Sequence, residues 1–212
     1  MTHAADDADL IRIVLADANV LYSRVLRDYL LYAADQEIIA ISWSPQILAE
    51  ATEHLMRNVE GFDQAAAQRL TNAMNRAFPF AEVEPAEEHW LQLRELELPD
   101  EDDRHVLAAS LAAEATVLCT SNVKDFPSDV VEGLGFEVLT PDQLLSRLTV
   151  EYAEQMIITH HTAVASPPAG RDKVRSMLRI SGSGARRWRG GWRPGRRRGR
   201  RRGASIVRWA GR

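Results

Sequence analysis

Four short apolar runs, each joined to a stretch of helical spacing, constrain this chain most. They span residues 11–17, 37–42, 116–120 and 136–139. Runs of this length, rich in Ile, Val and Leu and bounded by polar residues, read as buried strands. Helical spacing follows the first run through Val20, Leu21, Val25, Leu26, Tyr29 and Leu30. After the second, Ser44 reads as an N-cap and Pro45 as the first residue of a helix reaching about Asn58, with Ile47, Leu48, Ala51 and Leu55 on its apolar side. Further helices are expected over 62–77, 87–96, 103–114 and 141–148, with a short strand at 82–84. Trp90, Leu91 and Leu93 are the expected core of the 87–96 helix. A last helix over 150–164 would use Tyr152, Met156 and Ile157. Strands alternating with helices predict an α/β fold with a parallel, doubly wound sheet and right-handed crossovers.

The 212 residues suffice for one such domain and an appendage. No 18-residue apolar run offers a membrane span. Three Asp within the first nine residues, and no basic stretch, speak against a secretory signal. The single cysteine, Cys119, follows Val117 and Leu118 and reads as a buried thiol. A cytoplasmic protein is expected.

The net charge of −4 hides a division. Residues 165–212 hold 15 Arg and Lys173 against Asp172, or +15, whereas residues 1–164 hold 10 basic and 29 acidic residues, or −19. The expected organisation is a lead-in (1–9), a globular domain (10–150), a helical extension (151–180) and a tail rich in Arg, Gly and Trp (181–212). That tail has too few core-forming residues to fold alone and is expected to be disordered. Two readings of it stand. Its Arg side chains and Trp188, Trp192 and Trp209 could contact phosphates and stack on bases of single-stranded RNA. Alternatively, the composition is what a shifted reading frame in a GC-rich gene yields.

Residues 99–109 read Pro-Asp-Glu-Asp-Asp-Arg-His-Val-Leu-Ala-Ala. Acids complement the positive end of a helix, but four together repel one another, and a divalent cation among them would relieve that. Asp17 ends the first strand, Asp125 lies in the loop after the third, and Glu50 sits on the second turn of its helix. A doubly wound topology carries strand ends to one edge, where ligands bind. The result would be a cleft lined by Asp17, Glu50, Asp100 or Asp103, and Asp125. Carboxylates suit hard cations such as Mg²⁺. His105 has no partner at ligand spacing, which disfavours zinc. Neither a dinucleotide nor a phosphate-loop motif occurs, nor does a nucleophilic Ser elbow.

Leu15-Ala-Asp17-Ala-Asn-Val-Leu, Ile47-Leu-Ala-Glu50, Asp100-Glu-Asp-Asp103-Arg-His-Val-Leu-Ala-Ala and Thr120-Ser-Asn-Val-Lys-Asp125-Phe, in that order, resemble the PIN-domain ribonucleases. They are most similar to the VapC-type toxins of prokaryotic toxin–antitoxin pairs. The resemblance covers about residues 10–150. It implies a PIN-like (Rossmann-like) three-layer fold and a Mg²⁺- or Mn²⁺-dependent endoribonuclease that cuts RNA with a metal-activated water. Asp17, Glu50, Asp103 and Asp125 would be the catalytic quartet. Asp17 and Asp103 would hold the metal, Asp125 and Glu50 would complete the site directly or through water, and Asp100 would be a fifth acid. Asn19, Asn122 and Lys124 would face substrate. Glu101 and Asp102 read as helix-terminus charges. The resemblance also implies an antitoxin partner and a homodimer. Two alternatives remain. A haloacid-dehalogenase-like phosphatase would need a DxD pair, where Asn19 replaces the second acid. A catalytically silent PIN-like module would work by binding RNA or protein.

Overall fold

In a computed structural model, the structure describes residues 12–165. The expectations for the lead-in, the linker and the basic tail concern residues outside that range.

Strand β1 (Arg12–Ala16) runs into helix α1 (Ala18–Tyr22), and α2 (Arg24–Asp35) follows at once. The sequence pattern predicts one helix here. Ser23 divides it, because its backbone is extended and its hydroxyl accepts from Leu26 N, starting a new helix. Strand β2 (Ile39–Ser42) leads to α3 (Pro45–Asn58), where Ser44 caps by accepting from Ile47 N at 3.2 Å and Pro45 takes the first turn, as the sequence predicts. Helices α4 (Gln64–Ala77) and α5 (Glu87–Leu93) complete the long crossover. The expected strand at 82–84 reduces to one bridge between Trp43 and Glu82.

Helix α5 ends three residues early for a visible reason. The Arg104 guanidinium takes the Leu93 and Leu96 carbonyl oxygens. Only Leu93 of its expected core is buried; Trp90 and Leu91 stand 39% and 48% exposed. A turn of 3₁₀ helix, Glu101–Asp103, then opens α6 (Arg104–Ala112), in which every residue from His105 to Ser110 is buried. Strand β3 (Val117–Cys119), a 3₁₀ turn (Val123–Asp125), α7 (Ser128–Val131), β4 (Glu137–Leu139), α8 (Pro141–Glu151) and α9 (Ala153–Ala165) follow. Helix α9 packs on α2 through buried Met156 and Thr159, whereas Ile157 points outward, 57% exposed.

The sheet has four parallel strands in the order β2-β1-β3-β4. Val14, Leu15, Ile39, Ile41, Val117 and Leu118 are buried in it, as expected of strands covered on both faces. Cys119 is fully buried as well, and burial, then the charge of Asp17, pushes its thiol up to about 12. The chain moves from β1 to β2 on one side and returns to β3 on the other. The carboxyl ends of β1 and β3 therefore flank the point where strand order reverses, the place such sheets offer a ligand.

Candidate active site

Asp17 occupies that point. It is the N-cap of α1, 5% exposed, and its backbone N–H still belongs to the sheet, donating to Cys119 O at 3.1 Å. Its Oδ1 accepts from Ala18 N at 2.6 Å, and its Oδ2 accepts from Asn19 Nδ2 at 2.5 Å and from the Thr120 hydroxyl at 2.7 Å. Burial pushes this carboxyl up, the bonds from Thr120 and Ala18 oppose the rise, and the charge of Glu50 adds to it. A buried carboxylate with three donors is held in place at modest cost.

Thr120 escaped the sequence reading. It is wholly buried, donates to Asp17, and accepts from Asn19 Nδ2 and from Asn122 N, each at 3.0 Å. A hydroxyl directly after an apolar strand was the available signal. Asn19 spends its amide within the protein: its Nδ2 serves Asp17 and Thr120, and its Oδ1 accepts from Ser121 N at 2.8 Å. It ties the end of β1 to the loop after β3.

Asp103 is the other half of the site. It ends the 3₁₀ turn before α6, is half-buried, and its carboxylate accepts no hydrogen bond among the described residues. Burial first, then the charges of Asp17, Asp125 and Asp100, push it up to about 6, with His105 offsetting part of the rise. The Asp103 carboxyl thus lies in the field of three other Asp. Asp125, in the 3₁₀ turn after β3, is half-buried and accepts from Asn122 Nδ2. Asp100 is exposed, and its Oδ1 accepts from Asp102 N at 2.9 Å. Lys124 is exposed beside Asp125.

Glu50, on the second turn of α3, is half-buried. Its Oε1 lies 2.9 Å from His105 Nε2 and accepts from Gln46 Nε2 at 3.2 Å. His105, considered in the sequence only as a metal ligand, is instead the partner of this acid. Glu101 is paired with Arg104, at 2.6 Å.

The donor set is all carboxylate oxygen, which fits a hard divalent cation and not a thiophilic one. The acids share a field without closing on a point. Among the described residues, no three of His, Cys, Asp and Glu are grouped so as to grip an ion.

A short parallel sheet with acids near the point where its strand order reverses is an α/β arrangement that offers a ligand site at that edge. The PIN domain family model matches residues 12–124, and the chain belongs to the PIN domain family. A curated relative in Mycobacterium tuberculosis (strain ATCC 25618 / H37Rv), named "Putative ribonuclease VapC50", is 38% identical over 69 residues, 31% of this chain and 41% of that protein. The match thus spans about two fifths of that relative. No solved structure matches the chain significantly.

Proposed function

We propose that the chain is an endoribonuclease dependent on Mg²⁺ or Mn²⁺, and the toxin of a prokaryotic toxin–antitoxin pair. Family membership and the ribonuclease name of the partial relative support the reaction class. One observation carries the metal dependence. The half-buried Asp103 carboxyl lies in the field of Asp17, Asp125 and Asp100, accepts no hydrogen bond among the described residues and is only partly offset by His105, an arrangement that a cation partner would balance.

In this reading Asp17 and Asp103 hold the metal, Asp125 and Glu50 complete the site directly or through water, and Asp100 stands at the rim. When bound, a divalent ion supplies Lewis acidity to a phosphate oxygen and makes water nucleophilic at neutral pH. The chain's residues do the rest. Thr120 and Ala18 fix the Asp17 oxygens, so this ligand loses little freedom on binding. Asn19 ties the end of β1 to the loop after β3 and would face substrate from that fixed position. Asn122 and Lys124, exposed at the same edge, can approach RNA phosphates. Glu50 Oε2 makes no hydrogen bond among the described residues and can take a proton from water.

Membership in the PIN family sets aside the phosphatase reading. An antitoxin would inhibit by covering the acidic edge, most directly with an Arg reaching the carboxylates. A homodimer and a cytoplasmic location belong to the same reading. Among the described residues no helix is long and apolar enough to cross a membrane. The division into a nuclease domain (10–150), an extension (151–180) and a tail (181–212) is part of the proposal.

The test is cleavage of an end-labelled structured RNA by the full chain with Mg²⁺, Mn²⁺ or EDTA, beside Asp17→Ala. Metal-dependent cutting that the variant loses is expected. Equal inertness of both on several RNAs would instead favour a silent binding module. The same assay on a chain ending at Ala165 decides whether the basic segment contributes.

A further inference from the structure

Helix α6 is buried from His105 to Ser110, and four of these six side chains are apolar: Val106, Leu107, Ala108 and Ala109. Of the two polar ones, Ser110 donates its hydroxyl to Val106 O at 2.9 Å, and His105 is 6% exposed. Its Nε2 meets Glu50 Oε1 at 2.9 Å, while its Nδ1 is buried with no hydrogen-bond partner among the described residues. A polar ring half unsatisfied in a core costs stability, and an apolar side chain of similar size would avoid that cost. Packing alone therefore does not account for a histidine here.

We infer that His105 is a positioning residue: its Nε2–H holds Glu50 Oε1 and leaves Oε2 to serve the carboxylate site. The inference deepens the nuclease reading and rests on it for its functional part. The tautomer follows from the surroundings. With the proton on Nε2, the ring donates to Glu50 and buries only a bare lone pair at Nδ1. With the proton on Nδ1, it would bury a donor without an acceptor and turn a lone pair toward a carboxylate. The hold on Glu50 matters because that acid sits on a helix open to water. Left alone, a half-exposed Glu repelled by Asp17 would turn outward. Gln46 Nε2 reaches the same Oε1 at 3.2 Å, so both donors grip one oxygen and neither occupies the other. His105 thus ties α3 to the start of α6, one residue beyond Arg104 and two beyond Asp103.

Two measurements on the full-length protein test this. Long-range ¹H–¹⁵N NMR at mildly alkaline pH is expected to show His105 as the Nε2–H tautomer, with its Nε2 resonance displaced in Glu50→Ala. An Nδ1–H tautomer, or no response to Glu50→Ala, overturns the proposal whether or not the protein cuts RNA. Mn²⁺ titration and RNA cleavage come second. His105→Leu is expected to weaken Mn²⁺ binding and lower kcat about tenfold or more with KM little changed, the usual cost of losing a ligand's supporting partner. His105→Gln, whose amide donates from nearly the same place, is expected to recover most of both. Wild-type affinity and kcat in a folded His105→Leu also overturn the proposal. If the leucine variant does not fold, the tautomer and its response to Glu50→Ala decide. If the wild type neither binds Mn²⁺ nor cuts RNA, the nuclease reading fails, and the NMR result still decides whether His105 holds Glu50.

Discussion

Asp17 and Asp103 face the same edge of the sheet and are held in opposite ways. Asp17 is buried, yet three donors meet its oxygens, and two of them, Asn19 in the first turn of α1 and Thr120 directly after β3, come from the two sides of the switch point. Asp103 is less buried, accepts nothing among the described residues, and is pushed up to about 6. One acid is satisfied internally, and the other accepts no hydrogen bond among the described residues. The internally satisfied acid keeps its place with or without a ligand. The other stores repulsion that a cation or a proton can release.

The sharpest way to break this contrast is to remove the fixed acid. Asp17→Ala is expected to abolish metal-dependent RNA cleavage, a loss above the roughly 100-fold that losing a supporting partner costs. Wild-type cleavage in a folded variant would show that the buried acid is only a helix cap.

Next comes the pH dependence of Asp103. Its carboxyl rises from 3.8 to about 6 on folding, so between those values the folded protein holds a proton that the unfolded chain has lost. That contribution is fully present below the lower value and disappears as pH rises through the upper one. Without divalent ions, the melting temperature is therefore expected to fall across that window. Mg²⁺ should oppose the fall, and Asp103→Asn should reduce both the fall and the response to Mg²⁺. A melting temperature as sensitive to Mg²⁺ in Asp103→Asn as in wild type would contradict the assignment.

Thr120→Val tests the support of Asp17. It removes a donor to a buried carboxylate and should cost about 1–3 kcal/mol in denaturant unfolding. It should also blunt cleavage less than Asp17→Ala does. The smallest effect is expected at Glu101, whose carboxylate pairs with Arg104 at the surface. Glu101→Gln should change stability by no more than about 1 kcal/mol and leave Mn²⁺ affinity unaltered by titration. A loss of affinity there would extend the ligand set to the acids assigned to the helix terminus.

Much of the fold was legible because burial on both faces of a parallel sheet forces continuous apolar runs, and the runs at 11–17, 37–42, 116–120 and 136–139 lie close to the strands Arg12–Ala16, Ile39–Ser42, Val117–Cys119 and Glu137–Leu139. The Ser44 cap was legible for a local reason too, since its hydroxyl bonds to backbone three residues away. The misreadings share a nonlocal cause. Helix α5 stops at Leu93 because Arg104, eleven residues on, takes its carbonyl. Trp90 and Leu91 remain exposed on that helix, and Leu93 alone is buried. The break at Ser23 shows the converse, a local cap hidden inside a helical pattern.

Sequence alone determined the acids, their order and their places at strand ends and helix starts, because residue type and apolar periodicity are local properties. Only the tertiary structure decided which acid is satisfied and which is not. Thr120 lies 103 residues from Asp17 and His105 lies 55 from Glu50. Such pairs meet only because parallel crossovers bring distant segments to one edge, where burial, charge and hydrogen bonding act together.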